Sequence, residues 1–198
     1  MSITITETRI PDVVIIEPKL FSDHRGTFFE VFRSTTFGEY DLPTHFTQAN
    51  HARSRKGVIR GLHFQWDPPM GKMMRVTRGA AFVVAVDIRP GSQTLGQWHG
   101  MLLNSGTYRQ VWAPAGFARG FCALEEDTEV QYLCTGTYNP ACEAGIRWDD
   151  PDVGIEWPLP DGGPPILSDK DKVAPSLKTW LASPEAAHFR VAGLAQTG

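Results

Sequence analysis

Thr128-Glu129-Val130-Gln131-Tyr132-Leu133-Cys134-Thr135 alternates along its length, with Val130, Tyr132 and Cys134 on one face and Glu129, Gln131 and Leu133 on the other. A period of two marks a strand with two unlike faces. Ser2 to Glu7 repeats the pattern through Ile3 and Ile5, and further β-rich runs stand at 13–16, 28–32, 58–65, 73–77, 82–88 and 110–113. Turn signals such as Arg89-Pro90-Gly91-Ser92 and Tyr138-Asn139-Pro140 separate them. Helical signals are confined to 35–40 and 176–181. Many short strands without helical crossovers predict an all-β domain, an antiparallel sandwich or barrel, with short peripheral helices. From about residue 150 the chain turns Pro-rich and reads as a strap over the β core. One domain over residues 1–185 is therefore expected, with a loose tail over 186–198.

A chain of 198 residues, 41% apolar and 21% charged, has a globular composition that excludes disorder, fibrous repeats and coiled coils. The formal net charge is −3 with no basic block, so nothing points to a nucleic-acid groove or an anionic membrane surface. Any phosphate must be held by a few placed cations. No apolar stretch approaches the roughly 20 residues of a spanning helix. Met1-Ser2-Ile3-Thr4-Ile5-Thr6-Glu7 lacks the features of a signal peptide. Cys122, Cys134 and Cys142 form no CxxC pair and read as free thiols in a reducing cytoplasm.

GxGxxG, GxxxxGK[ST] and GxSxG are all absent. Among the six histidines, His63 is followed by Phe64-Gln65 rather than by a second histidine one strand-step on, and no metal site is expected. Gln48 to Gln65, QANHARSRKGVIRGLHFQ, is the densest polar stretch in a β context. Arg60 and His63 lie there beside Val58, Ile59, Leu62 and Phe64, and burying them unpaired costs several kcal/mol. Either this is an edge strand with a wet polar face, or the two have partners. Strict alternation puts His63 and Gln65 on one face and Arg60 on the other, so convergence on one site requires Gly61 to break the register as a bulge. Three further residues carry ordinary readings beside functional ones. Tyr132 suits a core tyrosine with a satisfied hydroxyl, and Lys72 a solvated strand end. Asp171, in Ser168-x-x-Asp171, suits a helix cap.

Taken in order, Phe21-Ser22-Asp23-His24-Arg25-Gly26 with Phe28-Phe29-Glu30, Gln48-Ala49-Asn50, and Gly57-Val58-Ile59-Arg60-Gly61-Leu62-His63-Phe64-Gln65 form a specific series. It continues through Val86-Asp87-Ile88-Arg89, Pro114-Ala115-Gly116-Phe117-Ala118, Trp148-Asp149-Asp150, Ile155-Glu156-Trp157-Pro158 and Leu167-Ser168-Asp169-Lys170-Asp171. Over roughly residues 8 to 175 this resembles the sugar-nucleotide epimerase family typified by dTDP-4-dehydrorhamnose 3,5-epimerase. The resemblance implies a cupin-type jelly roll, a homodimer, and an enzyme that uses neither a metal nor a nicotinamide.

It also implies epimerisation of a nucleotide-linked 4-keto-6-deoxyhexose, by proton removal next to the ketone at carbons 3 and 5. By the resemblance, His63 is the base, Asp171 holds its other ring nitrogen, Tyr132 is the acid on the opposite face, and Lys72 stabilises charge on the carbonyl oxygen. Gln48, Asn50, Arg60, Tyr138 and Lys170 fall on positions that hold nucleotide and sugar. Arg25, Phe28 and Glu30 match residues that reach the partner's site across a dimer. Two positions depart from the family pattern: Arg119 stands where GFAHGF has its histidine, and Val83 where an aspartate commonly precedes VAVD. Arg119 is then expected either to hold an anionic or hydroxyl-rich group, with the substrate sugar or the number of inverted centres differing from the archetype, or merely to pack nearby. The alternatives are inversion at carbon 3 only, another nucleotide sugar, or a catalytically silent sugar-nucleotide-binding cupin.

Overall fold

Most of the alternating and apolar runs are among the thirteen strands of a computed structural model, which describes residues 2–191. In chain order they are β1 Ile3–Glu7, β2 Val14–Pro18, β3 Phe21–Asp23, β4 Gly26–Phe28, β5 Gln48–Ser54, β6 Ile59–Gln65 and β7 Lys72–Arg78. There follow β8 Ala80–Asp87, β9 Trp98–Asn104, β10 Gln110–Ala113, β11 Phe117–Ala123, β12 Thr128–Cys134 and β13 Glu143–Gly145. Three short helices lie outside them: α1 Ser34–Gly38, α2 Asp169–Lys172 and α3 Leu177–Leu181.

The strands form a six-stranded sheet ordered β1-β2-β10-β7-β12-β5 and a five-stranded sheet ordered β13-β6-β11-β8-β9, with β3-β4 as a separate hairpin. All pairings between the strands are antiparallel. This is the cupin-type jelly-roll sandwich. Its core lies between the sheets, where Met74, Val76 and Val130 meet Val83, Phe117 and Phe121. A second apolar layer covers the outer face of the five-stranded sheet, where Leu62, Phe64 and Val84 pack under Trp180 and Phe189. Hence β8 is buried on nearly every residue, and its sequence is a continuous apolar run rather than an alternating one.

The C-terminal region is a strap, and it is anchored. Ile166 bridges Val58, the Arg147 N–H donates to the Pro175 carbonyl, and the Leu177 N–H donates to Asp150 Oδ2 at 2.6 Å. Order runs past residue 186, where a loose tail was expected. Pro184–Phe189 is a 3-10 helix whose Ala186 and Phe189 are buried in the outer layer, an apolar contact that holds it in place; the remainder of that tail, 192–198, lies outside the described residues. The expected β run at 28–32 ends at Phe28, because Phe32 turns to pack edge-on against Phe37 and Phe46. Among the described residues no helix is long and apolar enough to cross a membrane.

Candidate active site

A break in register builds the site. Arg119 of β11 pairs with His63 of β6, yet Phe121 pairs with Arg60, so β6 carries one extra residue between the two points. Gly61 takes it up at φ 142°, and a Cβ there would lie 2.6 Å from the Gly120 Cα. The bulge turns Arg60 to the side of His63. Both line a cavity of about 420 Å³ together with Tyr132, Ser168 and Asp171. An inner recess continues from it past Arg60, His63 and Tyr132 to Lys72, Met74 and Arg119. Gln65 does not join them. It is buried, and its amide is spent on the Pro68 and Thr137 carbonyls and the Asn139 N–H.

His63 Nε2 lies 2.6 Å from Asp171 Oδ1, across 108 residues of chain. Asp171 sits in α2, where the Ser168 hydroxyl accepts its main-chain N–H at 3.1 Å. The capping and the functional readings therefore both hold, one on the main chain and one on the side chain. Burial pushes the Asp171 carboxyl up, but His63, the Ser168 hydroxyl and the Gly61 N–H outweigh burial and hold it below the usual carboxylate range. An ionised carboxylate only accepts, so Nε2 carries a proton, and in the neutral imidazole Nδ1 is the nitrogen left to accept.

Tyr132 stands mid-strand between Asn50 of β5 and Met74 of β7, half-buried against the cavity rather than closed in the core. Burial, with Cys134 and Glu143 adding to it against Arg60, raises the phenol above its ordinary value, so it stays protonated and can donate. Lys72 is not a solvated strand end. It opens β7 facing inward, with Nζ 5.4 Å from the centre of the Tyr132 ring. Burial, then the nearby Arg119, lowers it to about 8 against the opposing pulls of Cys134 and Glu143.

Gln48, Asn50, Tyr138 and Lys170 do not line the cavity but form a bonded cluster: Gln48 Oε1 accepts the Tyr138 N–H at 2.8 Å, and Gln48 Nε2 donates to Asn50 Oδ1 at 2.9 Å. The Tyr138 hydroxyl and Lys170 Nζ both donate to Glu143 Oε2, at 3.1 and 2.5 Å. Glu143 is the residue that sequence reasoning missed; an acid in a three-residue strand among small neighbours carries no local signal. Arg60 is steadied by Nε donation to the Ser54 hydroxyl at 3.1 Å. Arg53 and Arg55 flank it at the mouth.

Arg25 and Phe28 are not brought to this cavity. They lie on the β3–β4 hairpin, where every residue from Phe21 to Phe28 is exposed, and Glu30 just beyond it pairs with Arg33 at 2.7 Å. Arg119 departs from its expected role as a holder of a hydroxyl-rich or anionic group. It is 3% exposed, and its guanidinium donates to the carbonyls of Ala113 (3.0 Å), Pro114 (2.7 Å) and Met70 (2.6 Å). Val83 lies in the core between the sheets. Among the described residues no three His, Cys, Asp or Glu side chains gather as a metal-binding group.

A carboxylate-held imidazole, a protonated phenol and a buried ammonium around one sheltered cavity can take a proton from carbon, return one, and stabilise the charge between. The fold is thus a jelly roll whose cavity is suited to proton transfer at carbon. The family model for dTDP-4-dehydrorhamnose 3,5-epimerase matches residues 7–179, and the chain belongs to this family. A dTDP-4-dehydrorhamnose 3,5-epimerase of Neisseria gonorrhoeae is 45% identical over 92% of the chain, which spans 54% of that relative's length. The Legionella pneumophila dTDP-6-deoxy-D-glucose-3,5-epimerase RmlC, solved with dTDP-4-keto-L-rhamnose, superposes with a TM-score of 0.88 at 43% identity, covering 93% of this chain and 96% of its own. ChmJ, a 3′-monoepimerase from Streptomyces bikiniensis solved with dTDP-quinovose, superposes with a TM-score of 0.81 at 38% identity, covering 87% of each chain.

Proposed function

We propose that this chain epimerises a dTDP-linked 4-keto-6-deoxyhexose at carbons 3 and 5, of the dTDP-4-dehydro-6-deoxy-glucose to dTDP-4-dehydrorhamnose type. The observation that carries the reading is that His63 and Tyr132 line one cavity while Asp171 holds the imidazole by Nε2. Protons on the carbons beside the ketone are acidic because their removal leaves an enolate. His63 Nδ1 takes such a proton, and Asp171 stabilises the imidazolium. Lys72 donates to the enolate oxygen; one such donor contributes on the order of 3 kcal/mol. Tyr132 then returns a proton to carbon from the other face, and water resets both groups by taking the imidazolium proton and resupplying the phenol.

Gln48, Asn50, Arg60, Tyr138 and Lys170 suit the nucleotide and its diphosphate. Arginine donates to phosphate in a planar fork, and an exposed tyrosine gives a base a face to stack on. A homodimer accounts for the projecting hairpin: Arg25 and Phe28, with Glu30 behind them, would complete the partner's cavity. The substrate and the unpaired thiols suit a cytoplasmic enzyme. The likeness to a 3′-monoepimerase keeps inversion at carbon 3 alone as the second reading.

Proton NMR of the 4-keto sugar nucleotide in deuterated water tests this. Loss of the carbon 3 and carbon 5 signals, followed by conversion to the inverted sugar, is the expected result. Loss at carbon 3 only selects the second reading. His63→Ala abolishes exchange, whereas Tyr132→Phe keeps some exchange and loses inversion. No exchange by the wild-type protein, or wild-type exchange in His63→Ala, would overturn the assignment.

A further inference from the structure

Arg119 is anomalous in its surroundings. It is a fully buried cation, and among the described residues no carboxylate pairs with it; three main-chain carbonyls accept from its two terminal nitrogens, and its Nε–H has no partner. Val83, His99, Met74 and Ala113 wall the small space on one side of it, and Lys72 borders that space as well. Burial, then Arg9, lowers His99, so at neutral pH it is an uncharged imidazole that adds nothing to offset the guanidinium. On the other side Arg119 and Lys72 share the recess that opens into the substrate cavity. The sandwich therefore holds two cations side by side at the closed end of the site.

Keeping a bare guanidinium inside a core is expensive, and neutral side chains would fill the space at lower cost. We propose that Arg119 is a positioning residue that acts on the reaction through Lys72. Its fixed, uncompensated charge makes the Lys72 ammonium a stronger hydrogen-bond donor to the enolate oxygen. An arginine suits the task because, although burial lowers it to about 10, it keeps its proton at neutral pH, where the field it supplies is constant. The other groups facing Lys72 divide. Tyr132 of β12 is neutral, Lys170 of α2 adds positive charge, and Cys134 of β12 and Glu143 of β13 oppose it. His63 and Arg60 of β6 border the same recess. Arg119 is foremost among the charges that lower Lys72, after burial itself. The inference rests on the epimerase reading for its consequence in catalysis, but its electrostatic part stands without substrate.

Two measurements separate the parts. Titration of the Lys72 side chain by NMR, in protein labelled at lysine and assigned with Lys72→Arg, reads the effect of Arg119 directly. The pH profile of kcat for the 4-keto sugar nucleotide reads its consequence. In Arg119→Gln, which keeps amide donors for the carbonyls and removes the charge, Lys72 titrates about one unit higher, and kcat at neutral pH falls by up to about tenfold with KM little changed. Arg119→Lys restores both. Arg119→Met, which removes the charge and fills the space with an apolar side chain, moves Lys72 in the same direction and covers the case in which Arg119→Gln does not fold. Lys72 titrating at its wild-type point in a folded Arg119→Gln or Arg119→Met protein would overturn the proposal. A wild-type protein inert towards the sugar nucleotide would instead remove the epimerase reading and, with it, the catalytic consequence.

Discussion

Replacing Asp171 with asparagine tests the base most directly, because it removes a charge and leaves a shape. The carboxylate meets His63 Nε2 at 2.6 Å, while the residue's own N–H caps α2 on Ser168. Asparagine keeps the cap and the volume but replaces one carboxylate oxygen by an NH2 and removes the charge. With the NH2 facing Nε2, that nitrogen must accept; the ring proton moves to Nδ1 and blocks the base. With the oxygen facing His63 the tautomer survives, but the imidazolium formed in the reaction has no counter-charge. A hydrogen bond to a charged group contributes about 1.5–3 kcal/mol, or about 10- to 150-fold in rate. The wrong tautomer adds to that loss. Asp171→Asn therefore lowers kcat about a hundredfold or more with KM near the wild-type value, followed as loss of the carbon 3 and carbon 5 proton signals in deuterated water. A kcat within about threefold of wild type, in a protein of unchanged melting temperature, would refute the reasoning, since about 1.4 kcal/mol already corresponds to tenfold.

Three further outcomes follow from the same geometry. Gly61→Ala forces a Cβ to within 2.6 Å of the Gly120 main chain at φ 142°, so it costs about 3 kcal/mol or more and lowers the melting temperature measured by calorimetry; an unchanged melt contradicts the bulge. Lys72→Met stabilises while it inactivates: the folded protein lowers Lys72 to about 8, which is a penalty in full below that pH and is relieved as pH rises towards 10.5. Urea melts at neutral pH should gain about 1–3 kcal/mol, fading over that window; no gain would mean that the ammonium is solvated. Asp87, fully buried, is pushed up by burial but held below the usual range by Arg89, Ser92 and Thr94, so it contributes stability above about pH 4 that is lost as pH falls through its folded value. Asp87→Asn costs about 3 kcal/mol at neutral pH and flattens acid unfolding, and an acid limb as steep as the wild type would count against it.

How much of this could be read from the chain depends on whether a signal is local. Tyr132 is placed by the alternation of its own strand, and β8 by an apolar run with sheet neighbours on both sides. β11 gives no such sign. Phe117-Ala118-Arg119-Gly120-Phe121-Cys122-Ala123 contains a glycine and an arginine and no β-branched residue, and it is a strand because β6 and β8 pair with it on either side. β9 is similar, a strand held by β8 alone around Gly100. The need for a break at Gly61 follows from the sequence once Arg60 and His63 are required to meet, but the break itself is visible only in how β6 pairs with β11. The inward turn of Lys72 and the bonding of Arg119 to carbonyls depend on packing between sheets, and no spacing along the chain encodes that. Glu143 carries no such signal, since its partner Lys170 becomes a neighbour only when the strap returns.

That return ties the chemistry to the outer layer of the sandwich. Along β6 the side chains of Leu62 and Phe64 face out, and His63 between them faces the cavity. Phe64 packs on Trp180 with ring centres 4.5 Å apart, so the strap covers one face of β6 while its Asp171 grips the imidazole on the other. Ile166 fixes the approach by bridging Val58, and the Ser168 cap then sets the short helix that aims the carboxylate. Loosening the strap between Ile166 and Phe189 would therefore free the carboxylate that holds His63, even though residues such as Trp180 lie outside the cavity. On the proposed mechanism, a strap that looks like covering for apolar surface thereby helps to set where Asp171 meets the imidazole.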